Sequence, residues 1–463
     1  SLQSIRGDGA PDLEMLLRGL TQLEILDVED DPRSPERGQY RFVQSLIHEV
    51  AYRRLGRQDR RDKHLAAAAY FESFDDPELA GVVAGHYMGA FNATPDGPER
   101  DALAAQALAG LNEAAQRAGT LGSHRRAEGL LEQAISLSTD PDQQAGFRLL
   151  AAGMAEAQSE VERAISYAEQ AKAHYAATDN LMGVRRAATT HSWILNSNYR
   201  SDEALPVIKP IYDELDAVED EVAIGVAAEA ARSLSLNFDP EAITAVARLL
   251  PGAAALRLDR IILESLVTQG TALAVASRLT EAKTILVGAA QVAEEFGLLA
   301  TAGRAYNNLG AILYIDNPRE AAAFSSRVGD ISQRLGDHGW TVRATRDASS
   351  AAVRDGRFDE AMAALDSFDD EQLTDFWKES FTADRAFIHL WKGDDSAAVD
   401  KALDAVAFFD DVADPQLRSG MDQYRAHILQ FAGRWEEAFE AAMSIDWSTT
   451  GAGLYEAAQA AAW

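Results

Sequence analysis

A hexapeptide and its echo constrain this chain more than any other feature. Gly356-Arg-Phe-Asp-Glu-Ala361, followed by Met362 and Leu365, returns as Gly433-Arg-Trp-Glu-Glu-Ala438, followed by Phe439 and Ala442. Phe358, Ala361, Met362 and Leu365 stand at i, i+3, i+4 and i+7, and so do Trp435, Ala438, Phe439 and Ala442. That spacing places each set on one face of a helix. Looser copies put an alanine in the same slot at Ala127, Ala164, Ala204, Ala242, Ala282, Ala321 and Ala398. From Ala127 to Ala438 the gaps are 37, 40, 38, 40, 39, 40, 37 and 40 residues. So even a period over nine copies defines an architecture in which each unit buries its apolar face only on its neighbours. Such a stack can run to 463 residues without the single large core that a compact domain of that size would need.

The chain in order divides accordingly. Residues 1–100 stand outside the repeat. Leu13, Leu16, Leu17 and Leu20 suit a helix, 23–28 alternates as a strand does, 30–38 reads as a polar loop, and extended chain resumes at 40–42. This order of helix, strand, turn and strand matches the second half of a winged-helix module. Helices are predicted over 44–55, with Leu46, Ile47, Val50 and Ala51 on one face, then 58–71 and 77–91; the cluster 92–98 breaks the pattern. Helical hairpins then follow: 101–119 with 123–138, 143–157 with 160–177, 181–197 with 201–216, 220–236 with 240–256, 258–276 with 280–296, 298–315 with 318–335, 339–355 with 357–367, 371–392 with 395–410, and 414–432 with 434–445. Pro251-Gly252 is expected to bend or end its helix, Trp435 and Phe358 to fill core slots, and 454–463 to begin a further helix. The expected fold is all-α, a right-handed α-solenoid of about nine hairpins with a period of ~39 residues, after a small winged-helix-like α/β segment. Its divisions are 1–57, a partial winged helix; 58–100, linking helices; 101–447, the solenoid; and 448–463, a terminal helix or truncated repeat.

The hairpins resemble tetratricopeptide repeats. The closest match is Tyr306-Asn-Asn-Leu-Gly310-Ala-Ile-Leu-Tyr314, with Gly310 and Gly270 where that family needs a small residue at a helix crossing. The long period resembles the repeats of bacterial signalling ATPases of the transcription-activator and nucleotide-cyclase-associated type. The segments 40–55, 60–72 and 84–90 look like the winged-helix end of those ATPases, apart from Val43-Gln44, where relatives show a histidine. In such proteins this segment follows an ATPase core and precedes a tetratricopeptide array. No Gly-x-x-x-x-Gly-Lys-Ser/Thr occurs here, and none of the seven lysines follows a glycine, so no phosphate cradle is encoded. The resemblance implies the C-terminal part of a larger bacterial protein, with its own upstream ATPase domain as one partner.

Composition narrows the function. A formal net charge of −30 argues against nucleic-acid binding, which needs a basic surface. The absence of cysteine excludes disulfides and thiolate chemistry. No run of 18 apolar residues exists to span a membrane, no signal-peptide pattern opens the chain, and a cytoplasmic location is expected. The nine histidines are scattered with no His-Glu-x-x-His pair, so no metal and no cofactor is expected. Paired acids such as Asp394-Asp395 and Asp410-Asp411 fall at turns, where capping is their ordinary work. No Gly-x-Ser-x-Gly elbow occurs, and no catalytic residue is assigned.

Candidate binding residues lie on the first helices, which line the inner wall of such an array. Arg304, Asn307 and Asn308 flank the strongest motif; Trp193, Arg343 and Arg346 are of the same kind. Asparagine can bond a peptide backbone and arginine can fork onto a carboxylate, though the same residues could tie neighbouring helices together. Arg53, Arg54, Arg57, Arg60 and Arg61, with Lys63, form the one basic island, either a solvated face paired with Asp59 and Asp62 or a surface that docks on the ATPase. The expected function is a non-catalytic sensor and interaction domain that binds a peptide, protein or small effector. A stand-alone adaptor is the alternative, and an α-solenoid enzyme is the third reading.

Overall fold

The repeat length dictates the structure seen in the computed structural model, which describes residues 13–29, 39–314, 316–369, 371, 373–393, 397–410 and 415–444. The expected terminal helix over 454–463 lies outside these. Among the described residues are 22 α-helices, one 3-10 turn and two strands. The chain forms two compact units, 1–180 and 181–463.

In the first unit, helix α1 (Leu13–Gln22) leads into an antiparallel ribbon of β1 (Leu26–Val28) and β2 (Tyr40–Phe42), in register Leu26 with Phe42. Helices α2 (Ser45–Arg54), α3 (Arg57–Glu72) and α4 (Ala80–Ala93) follow. The apolar face expected on α2 is open: Leu46 is 65 % and Val50 52 % exposed, because no described element packs over it. Two hairpins complete the unit, α5 (Pro98–Thr120) with α6 (His124–Leu137), and α7 (Pro141–Glu156) with α8 (Val161–Ala177).

The second unit holds seven hairpins: α9 (Leu181–Ser197) with α10 (Ser201–Asp213), α11 (Glu221–Leu236) with α12 (Glu241–Ala255), α13 (Asp259–Val275) with α14 (Leu279–Glu295), α15 (Leu299–Leu313) with α16 (Pro318–Leu335), α17 (His338–Arg354) with α18 (Phe358–Leu365), α19 (Asp375–Lys392) with α20 (Ala397–Ala407), and α21 (Pro415–Phe431) with α22 (Trp435–Ser444). All nine marker alanines are buried, none more than 4 % exposed. A methyl at these slots lets neighbouring helices approach to the close end of the usual 8–10 Å range, and a larger side chain would wedge them apart. Around Ala242 the core gathers Ile208, Ile224, Leu234, Val246 and Leu249, all fully buried.

Three expectations are corrected. Helix α12 runs through Pro251 and Gly252 to Ala255. Gly252 permits this, since a Cβ there would stand 2.2 Å from the Val218 carbonyl oxygen. Gly270 lies at a tight crossing, where a Cβ would meet Leu286 Cγ at 2.6 Å, but Gly310 has its nearest neighbour, Ser325 Oγ, at 3.5 Å and room for a methyl. Trp435 is 51 % exposed, because α22 is the last described helix and no described helix covers its outer face. Phe358 does join a core cluster, beside Leu365 and Phe381.

Candidate functional site

Stacking hairpins at a period of ~39 sets side chains of successive first helices beside one another, and the second unit turns this into a polar ladder. Asn196 Nδ2 on α9 donates to Glu229 Oε1 (2.6 Å) and Ser233 Oγ (2.7 Å) on α11. Arg304 Nη2 on α15 donates to Thr268 Oγ1 (2.9 Å) and to the Glu264 carbonyl on α13, and Asn308 Nδ2 donates to Thr271 Oγ1 (2.7 Å). Asn307 Nδ2 donates to Asn308 Oδ1 at 3.2 Å. Arg346 Nε on α17 donates to Asp384 Oδ2 on α19 (2.7 Å), and the Tyr424 hydroxyl on α21 donates to the other oxygen of that carboxylate (2.7 Å). Arg304, Asn308 and Arg346 therefore each tie two first helices together.

The ladder is electrostatically loaded. Burial pushes the Glu229 carboxyl up, against the Arg232 charge and the Asn196 donor. Burial also lowers the Arg304 guanidinium to about 10, with the like charge of Arg232 adding to the effect. Burial would lower Arg346 too, but Asp384 outweighs it and holds that group above its ordinary range. The Asp347 carboxyl is raised by burial, which Arg343 and Arg346 only partly offset. A small cleft at this end of the ladder, lined by Tyr314, Ser349, Asp384, Phe387 and Tyr424, has room for about one water molecule.

Early and late hairpins of the second unit also meet at Tyr199. Tyr199, in the turn after α9, accepts a hydrogen bond from Arg343 Nη1 at 3.3 Å. Its ring stacks on Phe376 of α19, with centroids 5.8 Å apart and planes 16° apart. Arg343 is four hairpins further along the chain and Phe376 five, so the second unit curls back on itself and brings the turn after α9 against α17 and α19. Trp193, two turns before Tyr199, is 36 % exposed. Neither Tyr199 nor Asp384 stood out in the sequence, since a lone tyrosine in a turn and an aspartate mid-helix match no motif.

Charge is sorted between the helices. The seven first helices of the second unit carry 13 Lys/Arg and 9 Asp/Glu, a net of +4, whereas the seven second helices carry 7 and 16, a net of −9. In a chain of net charge −30 the ladder helices are the basic part of this unit.

The basic island of the first unit is partly paired. Arg53 lies 2.5 Å from Glu49, and Arg61 lies 2.9 Å from Asp62 and 3.2 Å from Glu99. Arg60 sits over the Tyr52 ring at 5.3 Å. Arg54, Arg57 and Lys63 are exposed. The fold also joins two histidines that sequence spacing kept apart: His64 Nδ1 is 3.1 Å from His86 Nδ1, and His64 Nε2 is 2.9 Å from the Tyr52 hydroxyl. Burial lowers both imidazoles, and for His64 the neighbouring His86 and Arg60 add to it. Among the described residues no group of three or more His, Asp or Glu is arranged to hold a metal ion, and no helix is long and apolar enough to cross a membrane.

Fold and ladder together define a tetratricopeptide-type array of helical hairpins with a polar inner wall. Among solved structures the chain is similar to a Rap protein complexed with competence and sporulation factor, at 13 % identity and a TM-score of 0.53, over 77 % of this chain and 98 % of that one. It is also similar to a signal-transduction ATPase with numerous domains that carries a tetratricopeptide-repeat sensor, from Pyrococcus horikoshii, at 12 % identity and a TM-score of 0.50, over 89 % of this chain. The match spans 61 % of that ATPase's length. No family model matches the chain, and no curated protein does.

Proposed function

We propose that this chain is a non-catalytic sensor and interaction domain of a larger signal-transduction ATPase, which takes a peptide or protein segment along the inner wall of its second unit. The observation that carries this reading is the ladder of polar side chains along the first helices, with Asn307, Arg343 and Trp193 left partly exposed beside it. Donors and acceptors at that spacing suit an extended backbone, and arginines suit its acidic side chains. The likeness to the sensor-bearing ATPase supports the link to a parent enzyme, and the basic island at Arg53, Arg54, Arg57, Arg60 and Arg61 is the surface we assign to docking on it. Binding would regulate the parent by favouring whichever state of the array holds the ligand more tightly.

A second reading, a stand-alone adaptor that assembles other proteins, is favoured by one observation: the match to the Rap protein spans 98 % of that chain. A nucleotide-binding P-loop in the same polypeptide would decide for the first reading.

The test is a thermal-shift screen of the chain against a peptide and metabolite library. A ligand that binds only the folded state raises the melting temperature, by an amount that follows its concentration relative to Kd. A specific hit, weakened by Asn307→Ala, is the expected result. A blank across the library overturns the groove reading and leaves docking on the parent as the role of the chain.

A further inference from the structure

Arg343 is the loosest member of the ladder. One turn along the same helix, Arg346 is locked onto Asp384 at 2.7 Å. Arg343 has its nearest carboxylate, Asp347, at 3.9 Å, beyond hydrogen-bond reach. Its hydrogen bond among the described residues goes instead to a neutral phenol, Tyr199, at 3.3 Å. A carboxylate carries a negative charge and two acceptor oxygens that match the guanidinium fork, whereas the phenol offers one neutral oxygen, so a carboxylate arriving in the groove is a better partner for Arg343 than Tyr199 is.

That exchange has a structural consequence. Between the turn after α9 and the later hairpins, Tyr199 makes the Arg343 bond and the Phe376 stack. Once Arg343 turns to another partner, Tyr199 keeps its ring contact with Phe376. Arg343, 38 % exposed on its side chain, and Tyr199, 37 % exposed, are both reachable from solvent. The occupant is narrowed by the charge sorting already described and by guanidinium groups on two first helices, Arg232 on α11 and Arg343 on α17, while Arg304 and Arg346 are engaged within the ladder. A single small anion would use one of them; a chain bearing several carboxylates would use them in series.

We propose that the groove of the second unit takes an extended acidic peptide segment, that one of its carboxylates captures Arg343 from Tyr199, and that this capture opens a clasp holding the early hairpins of the unit to the late ones. The inference rests on the groove reading above and names both its ligand class and its switch.

The experiment uses the whole chain with labelled hexaglutamate as probe and hexaglutamine as control, followed by fluorescence anisotropy. Hexaglutamate binds and hexaglutamine does not; Arg343→Gln weakens binding by about tenfold or more; Tyr199→Phe, which leaves the stack and frees the guanidinium, binds at least as tightly as the parent sequence. Because the chain has no cysteine, spin labels can be set at Asn198→Cys and Lys378→Cys, and their separation should lengthen when hexaglutamate is added and be long already in Tyr199→Ala. Unchanged binding by Arg343→Gln, or a label separation that does not move while the probe binds, overturns the proposal. If hexaglutamate fails but other peptides still raise the melting temperature, the acidic clasp falls and the sensor reading stands; if no peptide binds, both fall.

Discussion

At the scale of single residues, two glycines in the same motif slot behave differently, and the difference is measurable. A methyl on Gly270 would meet Leu286 Cγ at 2.6 Å, while on Gly310 it would meet only ordinary contacts at 3.5 and 3.6 Å. Gly270→Ala should therefore destabilise by about 1–3 kcal/mol, the usual cost of overpacking. Gly310→Ala should be neutral or stabilise by about 0.5–1 kcal/mol through helix propensity. Urea denaturation of the two variants settles it, and equal effects would show that the crossing at Gly270 relaxes freely. Glu229 gives a pH signature. Its folded-state pKa lies above the ordinary 4.5 because burial disfavours the charge. The folded chain then holds that proton more tightly than the unfolded one, so the stability the group contributes is full below 4.5 and declines as pH rises through the raised value. Glu229→Gln keeps an acceptor for Asn196 Nδ2 and removes the decline. The variant should thus gain on the parent sequence as pH rises above 4.5 in paired denaturation curves. A flat difference would mean that Arg232, Asn196 and Ser192 hold the carboxylate charged.

At the scale of elements, the recurrent turns end in left-handed backbone. Glycine takes that position at Gly356 (φ 78°) and Gly433 (φ 70°), the first residue of the hexapeptide and of its echo. Elsewhere Ser159, Asp179, Tyr199, Phe238, Arg257 and Ser277 take it, with φ between 53° and 62°. A side chain there costs roughly 1–2 kcal/mol. Exposed Ser277→Gly should consequently raise stability by about 1 kcal/mol, read as a higher urea midpoint; no gain would show that the serine conformation is already relaxed. The same turns explain what could be read from sequence. Helix spacing and the buried alanines are local periodicities, and Ala127 through Ala438 reported them directly. The apolar set at Leu46 and Val50 was read correctly as one face of a helix, yet nothing in the sequence said whether that face would be covered. The ladder was half legible: Arg304, Asn307, Asn308, Arg343 and Arg346 stand on first helices, but the partners of Arg304, Asn308 and Arg346 lie 36–40 residues away, and Tyr199, the partner of Arg343, lies 144 residues away. A contact of that span depends on how far the array curls, which no local pattern encodes.

At the scale of the whole molecule, an array in which each hairpin buries its face on its neighbours has no single core to lose. Stability is then close to a sum of repeat and nearest-neighbour interface contributions. Two compact units, 1–180 and 181–463, add a natural seam. Leu249 is fully buried in the cluster that α11 and α12 form with residues of α9, α10 and α13, and Leu249→Ala should cost about 2–5 kcal/mol by the cavity it leaves. In a one-core protein that loss would lower amide protection everywhere. In this chain hydrogen exchange should quicken across 181–335, next to the cavity, while protection over 57–177 stays as it was, because the hairpins of the first unit do not depend on Leu249 for their cores. Mass-resolved exchange on the variant and the parent sequence distinguishes the two cases. Uniform loss of protection would mean that the units unfold as one. Loss confined to the second unit would mean that its groove can loosen on its own, the mechanical independence that a clasp between Tyr199 and Arg343 needs if opening it is to cost less than unfolding the chain.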